Sequence, residues 1–403
     1  MTLRLGLTLS AALVCGACSS SKAERVDDPY TGAAPFPDLR TQLELPETDL
    51  GVVSNNGSDT ITLLDLDQRK VIATAPVGRD PVAIDGPHHV AVDRSAGLVF
   101  TALSYPAPAT APGPHAAHGS SQRAGYVQAL DLQELAPVAE ARVETNPGDI
   151  VLSPDGSRLV VSHFDLLRAR ASALEDRRAD LAIIDARRII SKGDAAVAFM
   201  RVCVAPHGVA LLGPSGDTAF VACYGEDALG IVDTTDPSAT PELVSIGPGG
   251  VPGSPIYGPY AASLSPDTKL VAVSNTLSSD VRLFDVASHS FGTAIATGGA
   301  PYFGAWSADG SQLFVPIQNP DGLAVLDVSR NRVKSTQLFD ASECLLPHAA
   351  VLATDASSLY VVCEGDHQSE SVVLALDPET FEQIGSMPVG VYPDGLSITR
   401  GAP

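Results

Sequence analysis

A short apolar run closed by an aspartate returns seven times along this chain of 403 residues, and that recurrence restricts it to a repeat architecture. The runs are TLLD ending at Asp65, QALD at Asp131, AIID at Asp185, GIVD at Asp233, RLFD at Asp285, AVLD at Asp327 and LALD at Asp377. A second phrase, a proline leading into an apolar strand, precedes most of them. Its prolines are Pro87, Pro147, Pro206, Pro259, Pro301, Pro347 and Pro393, at steps of 60, 59, 53, 42, 46 and 46 residues. Repeats of roughly 40–50 residues that hold several short strands are the pattern of a propeller blade. Seven copies predict an all-β, seven-bladed propeller, and they override the two or three domains that length alone suggests.

Each unit parses alike. In the fourth, the strand GVALL ends in a Pro/Ser/Gly/Asp turn, TAFVAC follows, then a polar loop, GIVD, another turn and ELVSI. Alternation inside runs of this length is the β pattern. Ser153–Gly156 (SPDG), SPDT from Ser265 and SADG from Ser307 supply hairpin-turn chemistry. The recurring aspartate is expected to accept hydrogen bonds from the turn after the third strand, which makes it scaffold rather than catalyst. The first unit starts at its second strand, Leu50–Ser54, whereas VYPDGLSIT around Pro393 is an inner strand with nothing after it. Pairing the two would complete one blade from both chain ends and leave no free sheet edge.

These phrases resemble the YVTN β-propeller repeat family, most closely in VVSNNGSDTITLLDLDQRKVIATAPVGRDP, and the likeness runs over about residues 48–400. The resemblance implies the fold. Members range from uncharacterised cell-surface proteins to domains joined to redox enzymes, so it does not select a function.

The N-terminus reads as an export signal: Arg4, an apolar core from Leu5 to Val14, then small residues. Cys15-Gly16-Ala17-Cys18 resembles a bacterial lipobox with Cys15 where leucine is usual, which implies lipidation at Cys18. The expected division is a lipoprotein signal peptide over 1–17, a flexible tether over 18–46 and the propeller over 47–403. The location that follows is the bacterial cell envelope outside the cytoplasm, with membrane contact through the anchor only. A net charge of −22, with no basic run, excludes a nucleic-acid binder, because neutralising phosphates needs clustered Lys and Arg. The chain is expected to be a monomer.

In a propeller, the loop entering the inner strand and the loop leaving the second strand share one face, here called the top. The residues after the seven prolines are His88, Gly148, His207, Tyr260, Tyr302, His348 and Asp394, a set that packing does not demand. Second strands end at Asn55, His163, Cys223, Asn275 and Cys363, and the two long inserts, 104–125 and 164–179, leave second strands as well. Inserts gathered on one face mark a binding face. The phrase C-x-x-P-H occurs at Cys203 and at Cys344, followed by Cys223 and Cys363 after 20 and 19 residues. This duplication predicts the disulfides Cys203–Cys223 and Cys344–Cys363, each on one blade, with metal-bound thiolates as the alternative.

His88, His207 and His348 fall on blades 2, 4 and 7, nearly threefold around the ring, and could converge on a transition metal, copper or zinc. His163 and His89 are further candidate ligands, and Asp394 a carboxylate that orients a ligand from behind. His115 and His118 form an HAAH pair in the proline-rich insert, which reads as a mobile cover over the channel mouth. His289 and His367 read as exposed loop residues. Pro87-His88-His89 resembles a fragment of the histidine-rich channel mouth of nitrous-oxide reductases, and Pro-His also resembles propeller lactonases, without their Arg and Glu set. No Ser-His-Asp set, Walker loop, GxGxxG or c-haem CxxCH stands in the mature chain. Two functional classes remain. The first is a non-catalytic propeller that binds a protein, polymer or small ligand at His88, His163, His207, Tyr260, Tyr302, His348 and Asp394. The second is a metal-dependent oxidoreductase or lactonase-like hydrolase at the same place.

Overall fold

Seven antiparallel sheets stand around one axis in the computed structural model, which describes residues 42–80, 82–107, 117–189 and 197–399. The inner strands are Pro393–Thr399 in blade 1, Pro87–Asp93 in blade 2, Pro147–Leu152 in blade 3, Pro206–Leu212 in blade 4, Pro259–Leu264 in blade 5 and Pro347–Leu352 in blade 7. Blade 6 has a broken inner strand, Ala300–Pro301 and Ala305–Trp306. Closure is as the two chain ends suggest. Leu50–Asn55 pairs antiparallel with Pro393–Thr399, with Leu50 opposite Thr399 and Val53 opposite Leu396. The core lies between blades: Phe100, Val127, Ile150 and Val161 join blades 2 and 3, and Phe220, Val273 and Phe284 join blades 4 and 5.

One local device repeats at the top and positions everything that follows. The residue before the proline is left-handed in six blades: Gly86, Asn146, Ala205, Gly258, Leu346 and Tyr392, with φ between 49° and 63°. Such a conformation costs a non-glycine residue about 1–2 kcal/mol and persists only where the surroundings hold it. The hold is a hydrogen bond. Each of these carbonyls accepts the N–H of the first residue past the second strand: Ser104, Phe164, Tyr224, Thr276, Glu364 and Asn56, at 2.8–3.2 Å. The same bond ties the two top loops of a blade together. Immediately after the proline, the pairing with the second strand slips by one residue in these six blades. A bulge re-aims side chains, and here it brings the residues after the proline toward the axis.

All seven recurring aspartates cap turns. Asp65 accepts from Gln68 N, Asp131 from Gln133 N, Asp185 from Arg188 N, Asp233 from Thr235 N, Asp285 from Ser288 N, Asp327 from Arg330 N and Asp377 from Glu379 N, at 2.7–3.1 Å. In the hairpins Asp267 is held by Lys269 and Ser265 and Asp309 by Ser307 and Ser311, the recurring Asp327 is held by Ser329 and Arg330, and these bonds keep all three carboxyls at about 2. A depressed carboxyl contributes stability that is complete above its unfolded value, near 4, and is lost as pH falls through the folded value. Asp85 works in the opposite sense. Burial lifts it to about 6 against the pull of the Asp80 and Arg79 amides, so its contribution is complete below about pH 4 and lost as pH rises through 6. Denaturation midpoints measured against pH are therefore expected to fall between about pH 4 and 2, and to fall less in Ser311→Ala and Ser329→Ala. A midpoint that stays flat down to about pH 2 would count against this role.

Both disulfides are present, Cys203–Cys223 and Cys344–Cys363. Their placement departs from the expectation of one blade each. Cys203 lies in Val197–Val204, the outer strand of blade 3, whereas Cys223 ends the second strand of blade 4. Cys344 lies in the connection from blade 6, and Cys363 ends the second strand of blade 7. The outer strand of one blade runs on into the top of the next, so the bridges staple neighbouring repeats. Two disulfides place the folded chain in an oxidising compartment outside the cytoplasm. Cys18 lies outside the described residues. The described end of the expected tether is docked: Leu43 N donates to Gln133 O at 2.8 Å, and Leu43 and Leu45 pack against the apolar layer of blades 1 and 2.

Candidate metal centre

Five histidines meet at the top of the channel. His88 is the hub, with ring centroids 4.6 Å from His89, 4.3 Å from His118 and 5.5 Å from His207. His89 lies 5.7 Å from His207 and 5.9 Å from His348. The bulge after Pro87 explains why two successive residues both reach the centre, where a regular strand would send them to opposite faces. Two missing side chains make room. A Cβ on Gly148 would stand 3.1 Å from His207 Cδ2, and one on Gly395 would stand 3.2 Å from His89 Cα.

The tautomers can be read from the partners. His88 Nδ1 donates to Pro147 O at 3.1 Å, His207 Nδ1 to Tyr260 O at 3.2 Å, and His348 Nδ1 to Asp394 O at 2.8 Å. In each case the carbonyl belongs to the next inner strand around the ring. A carbonyl only accepts, so Nδ1 carries a proton, and Nε2 is the atom that each ring, when neutral, offers to a metal. His89 has a carboxylate in that role: Nδ1 stands 2.8 Å from Asp149 Oδ1, while Asp149 Oδ2 accepts Val209 N at 2.9 Å. The Nε2 of His89 is buried and makes no hydrogen bond among the described residues. An oriented imidazole with a carboxylate behind it is the usual dress of a metal-ligating histidine.

Asp394 sits among these rings, fully buried. Its Oδ2 is 3.3 Å from His88 Nε2 and 3.6 Å from His118 Nδ1, and its Oδ1 is 3.5 Å from His348 Nδ1. Burial, with Glu364 nearby, pushes its pKa far above the usual carboxylate range. The ligand atoms of His88, His89 and Asp394 all lie within 4.8 Å of one another, close enough to share one ion. This is a different trio from the threefold set His88, His207 and His348. The centre is displaced toward blades 1 and 2, and Asp394 stands as a candidate ligand rather than as an orienting group.

His118 was set apart by its sequence as one of a pair in a proline-rich loop, yet it is 1% exposed, in the short 3-10 turn His118–Ser120. Two bonds bring it there. Ala107 N donates to Ala117 O at 3.0 Å, closing the neck of the insert, and Leu166 N of the second insert donates to Gly119 O at 3.0 Å. The two inserts therefore meet as a roof, with Phe164 4.9 Å from His207 and Tyr392 5.3 Å from His118. His115 lies outside the described residues.

Burial corrects the picture of an exposed channel mouth. His88, His163, His207, Tyr260, His348 and Asp394 are all 0% exposed and Tyr302 is 6% exposed, so a macromolecule on the top face would touch the roof and not these side chains. His163 is no candidate ligand. Its Nδ1 donates to Asp180 O and its Nε2 accepts Glu144 N, which uses both nitrogens, and burial lowers its pKa. His289 is exposed beside Glu242. His367, at the surface, stacks on Tyr392 at 3.6 Å and pairs with buried Glu364. In blade 6 Phe303 also reaches the centre, 4.9 Å from His89 and 5.4 Å from His348, because the broken inner strand joins blade 7 through Phe303 N to His348 O. The Pro-Tyr-Phe triplet, an extra aromatic after the expected one, was the only trace of this in the sequence.

No family model and no curated protein matches the chain. Solved structures do. A putative 6-phosphogluconolactonase from Bacteroides uniformis matches with a TM-score of 0.62 at 11% identity, over 88% of this chain and 100% of that one. The periplasmic gluconolactonase of Pseudomonas aeruginosa matches with a TM-score of 0.62 at 15% identity, over the same shares. The dihydro-heme d1 dehydrogenase NirN matches with a TM-score of 0.55 at 18% identity, over 88% of this chain and 68% of that one. At these identities the likeness is one of fold. The chain is a seven-bladed β-propeller.

Proposed function

We propose that this is an exported, YVTN-type propeller, lipid-anchored at Cys18, whose central cage binds one transition-metal ion, zinc or copper. The observation that carries the reading is the approach of His88, His89 and Asp394 to within 4.8 Å of one another in a fully buried setting. Imidazole with a single carboxylate suits zinc and copper better than calcium or magnesium, which prefer oxygen alone. Rings anchored through Nδ1, with Nε2 turned to the centre, and His118 in the roof support the same reading. In the apo protein, stripped with a chelator and titrated with Zn(II) or Cu(II), one equivalent is expected to bind. His88→Ala and His89→Ala should abolish stoichiometric binding, Asp149→Asn should weaken it about 10–100-fold, and His289→Ala should leave it unchanged. Stoichiometric binding retained in His88→Ala and His89→Ala would reject the cage. A reaction at the bound ion, hydrolytic or redox, is a second reading, favoured by the channel that reaches His89.

A further inference from the structure

The cage is shut on the face that carries the inserts and open on the other. Along the inner strands Pro87–Asp93, Pro147–Leu152 and Pro393–Thr399, burial is complete at the top and gives way to partial exposure at the lower end. Between these strands lies a cavity of about 620 Å³, with His89 and Asp149 among its walls. Its lower end is lined by Asp93, Asp155 and Arg94. From Asp93 to His89 is four residues, roughly 13 Å of strand.

The charged groups on this path are carboxylates apart from Arg94. Asp93 and Asp155 accept from their own turns, Asp93 from Ser95 and Ala96 and Asp155 from Ser153 and Ser157, and the Ser157 bonds hold the Asp155 carboxyl well below the usual carboxylate range. Arg94 is the one cation in the lining. It is drawn aside by the carbonyls of Thr48 and Pro46, to which its guanidinium donates. A phosphorylated sugar would find no free cation here, whereas a positive ion meets carboxylates at the rim and again at Asp149. A channel with low-dielectric walls and one sign of charge concentrates counter-ions. At its head waits the buried His89 Nε2, which makes no hydrogen bond among the described residues.

Resting on the metal reading above, we propose that the ion enters from the bottom of the propeller as an aquated divalent cation, gathered by Asp93 and Asp155 and received by His89 and Asp149. The roof then serves to close the cage by holding His118 over it, not to admit the ion. This sets the working face opposite the inserts, whereas the sequence reading puts it on the face that bears them.

The test is the rate of Cu(II) uptake by chelator-stripped full-length protein, followed by stopped-flow absorbance at low and high ionic strength. Asp93→Asn with Asp155→Asn keeps the turn acceptors and removes the charge. Uptake is expected to slow about tenfold at low salt, with the difference shrinking at about 0.5 M salt, and with saturation still at one ion. Replacing residues 108–116 by Gly-Gly is expected to leave the rate unchanged, because Ala107 and Ala117 already meet across the neck. If uptake ignores the rim variants and accelerates in the shortened insert, the ion comes through the roof and the proposal falls alone. If wild-type protein takes up no stoichiometric ion, the cage reading falls and this one with it.

Discussion

Deleting residues 393–399 is expected to unfold the propeller rather than trim it. That segment is the inner strand of blade 1, and Leu50, Val52 and Val53, all 0% exposed, line the strand it pairs with. Exposing aliphatic side chains of this size costs roughly 1.5–3 kcal/mol each, so the loss is on the order of 5 kcal/mol before the lost ladder bonds are counted. Whole domains are stable by only about 5–15 kcal/mol. The deletion also leaves Leu50–Asn55 as an unpaired edge of blade 1, and open edges aggregate. Circular dichroism melting and size-exclusion chromatography should show a lost cooperative transition and association, with removal of 400–403 alone as the control. A truncated protein that melts with the full chain would mean that the ring closes without this strand.

The second large effect is expected from the disulfides. Each closes a loop of about 20 residues, which in the chain-entropy account is worth roughly 3 kcal/mol. Because each bridge ties a blade to the chain arriving from its neighbour, its loss should loosen a boundary between blades and not the interior of one. Replacing each pair by alanine, which leaves no buried hydroxyl behind, is expected to lower the guanidinium midpoint, with the two losses adding because the pairs lie in separate parts of the ring. Cys203–Cys223 has the wider consequence. It braces the loop before Pro206, whose strand carries His207 toward the cage, so its removal is also expected to weaken metal binding. Midpoints unchanged by both double substitutions would show that the bridges form on an already rigid frame.

The fold was legible because it is written locally and repeated. Each blade carries its own turn aspartate and its own alternating strands, three add a serine-led hairpin, and seven weak signals in phase make one strong one. The closing strand could be inferred by subtraction, since one unit lacked what another had to spare. The cysteine pairs were legible for the same reason: a phrase that occurs twice at one spacing has one simple pairing.

The site was legible only in part. The proline phrase named His88, His207, His348 and Asp394 as axial residues, because position in a repeat is position around the ring. It could not say that a bulge after Pro87 would turn His89 inward as well, or that the broken inner strand of blade 6 would send Phe303 to the centre in addition to Tyr302. His118 was beyond reach, since a loop residue is placed by what the loop packs against, and the bond from Leu166 N to Gly119 O links segments 47 residues apart. The exposure of the channel-mouth side chains was misread for a related reason. Inserts mark where chain length varies, but only packing decides whether they line a mouth or close it. Repeat chemistry, carried by neighbours in sequence, determined the ring, its closure and its staples. Which side chains share the centre, and from which end solvent reaches them, was decided by contacts between distant segments, and those exist only once the ring has formed.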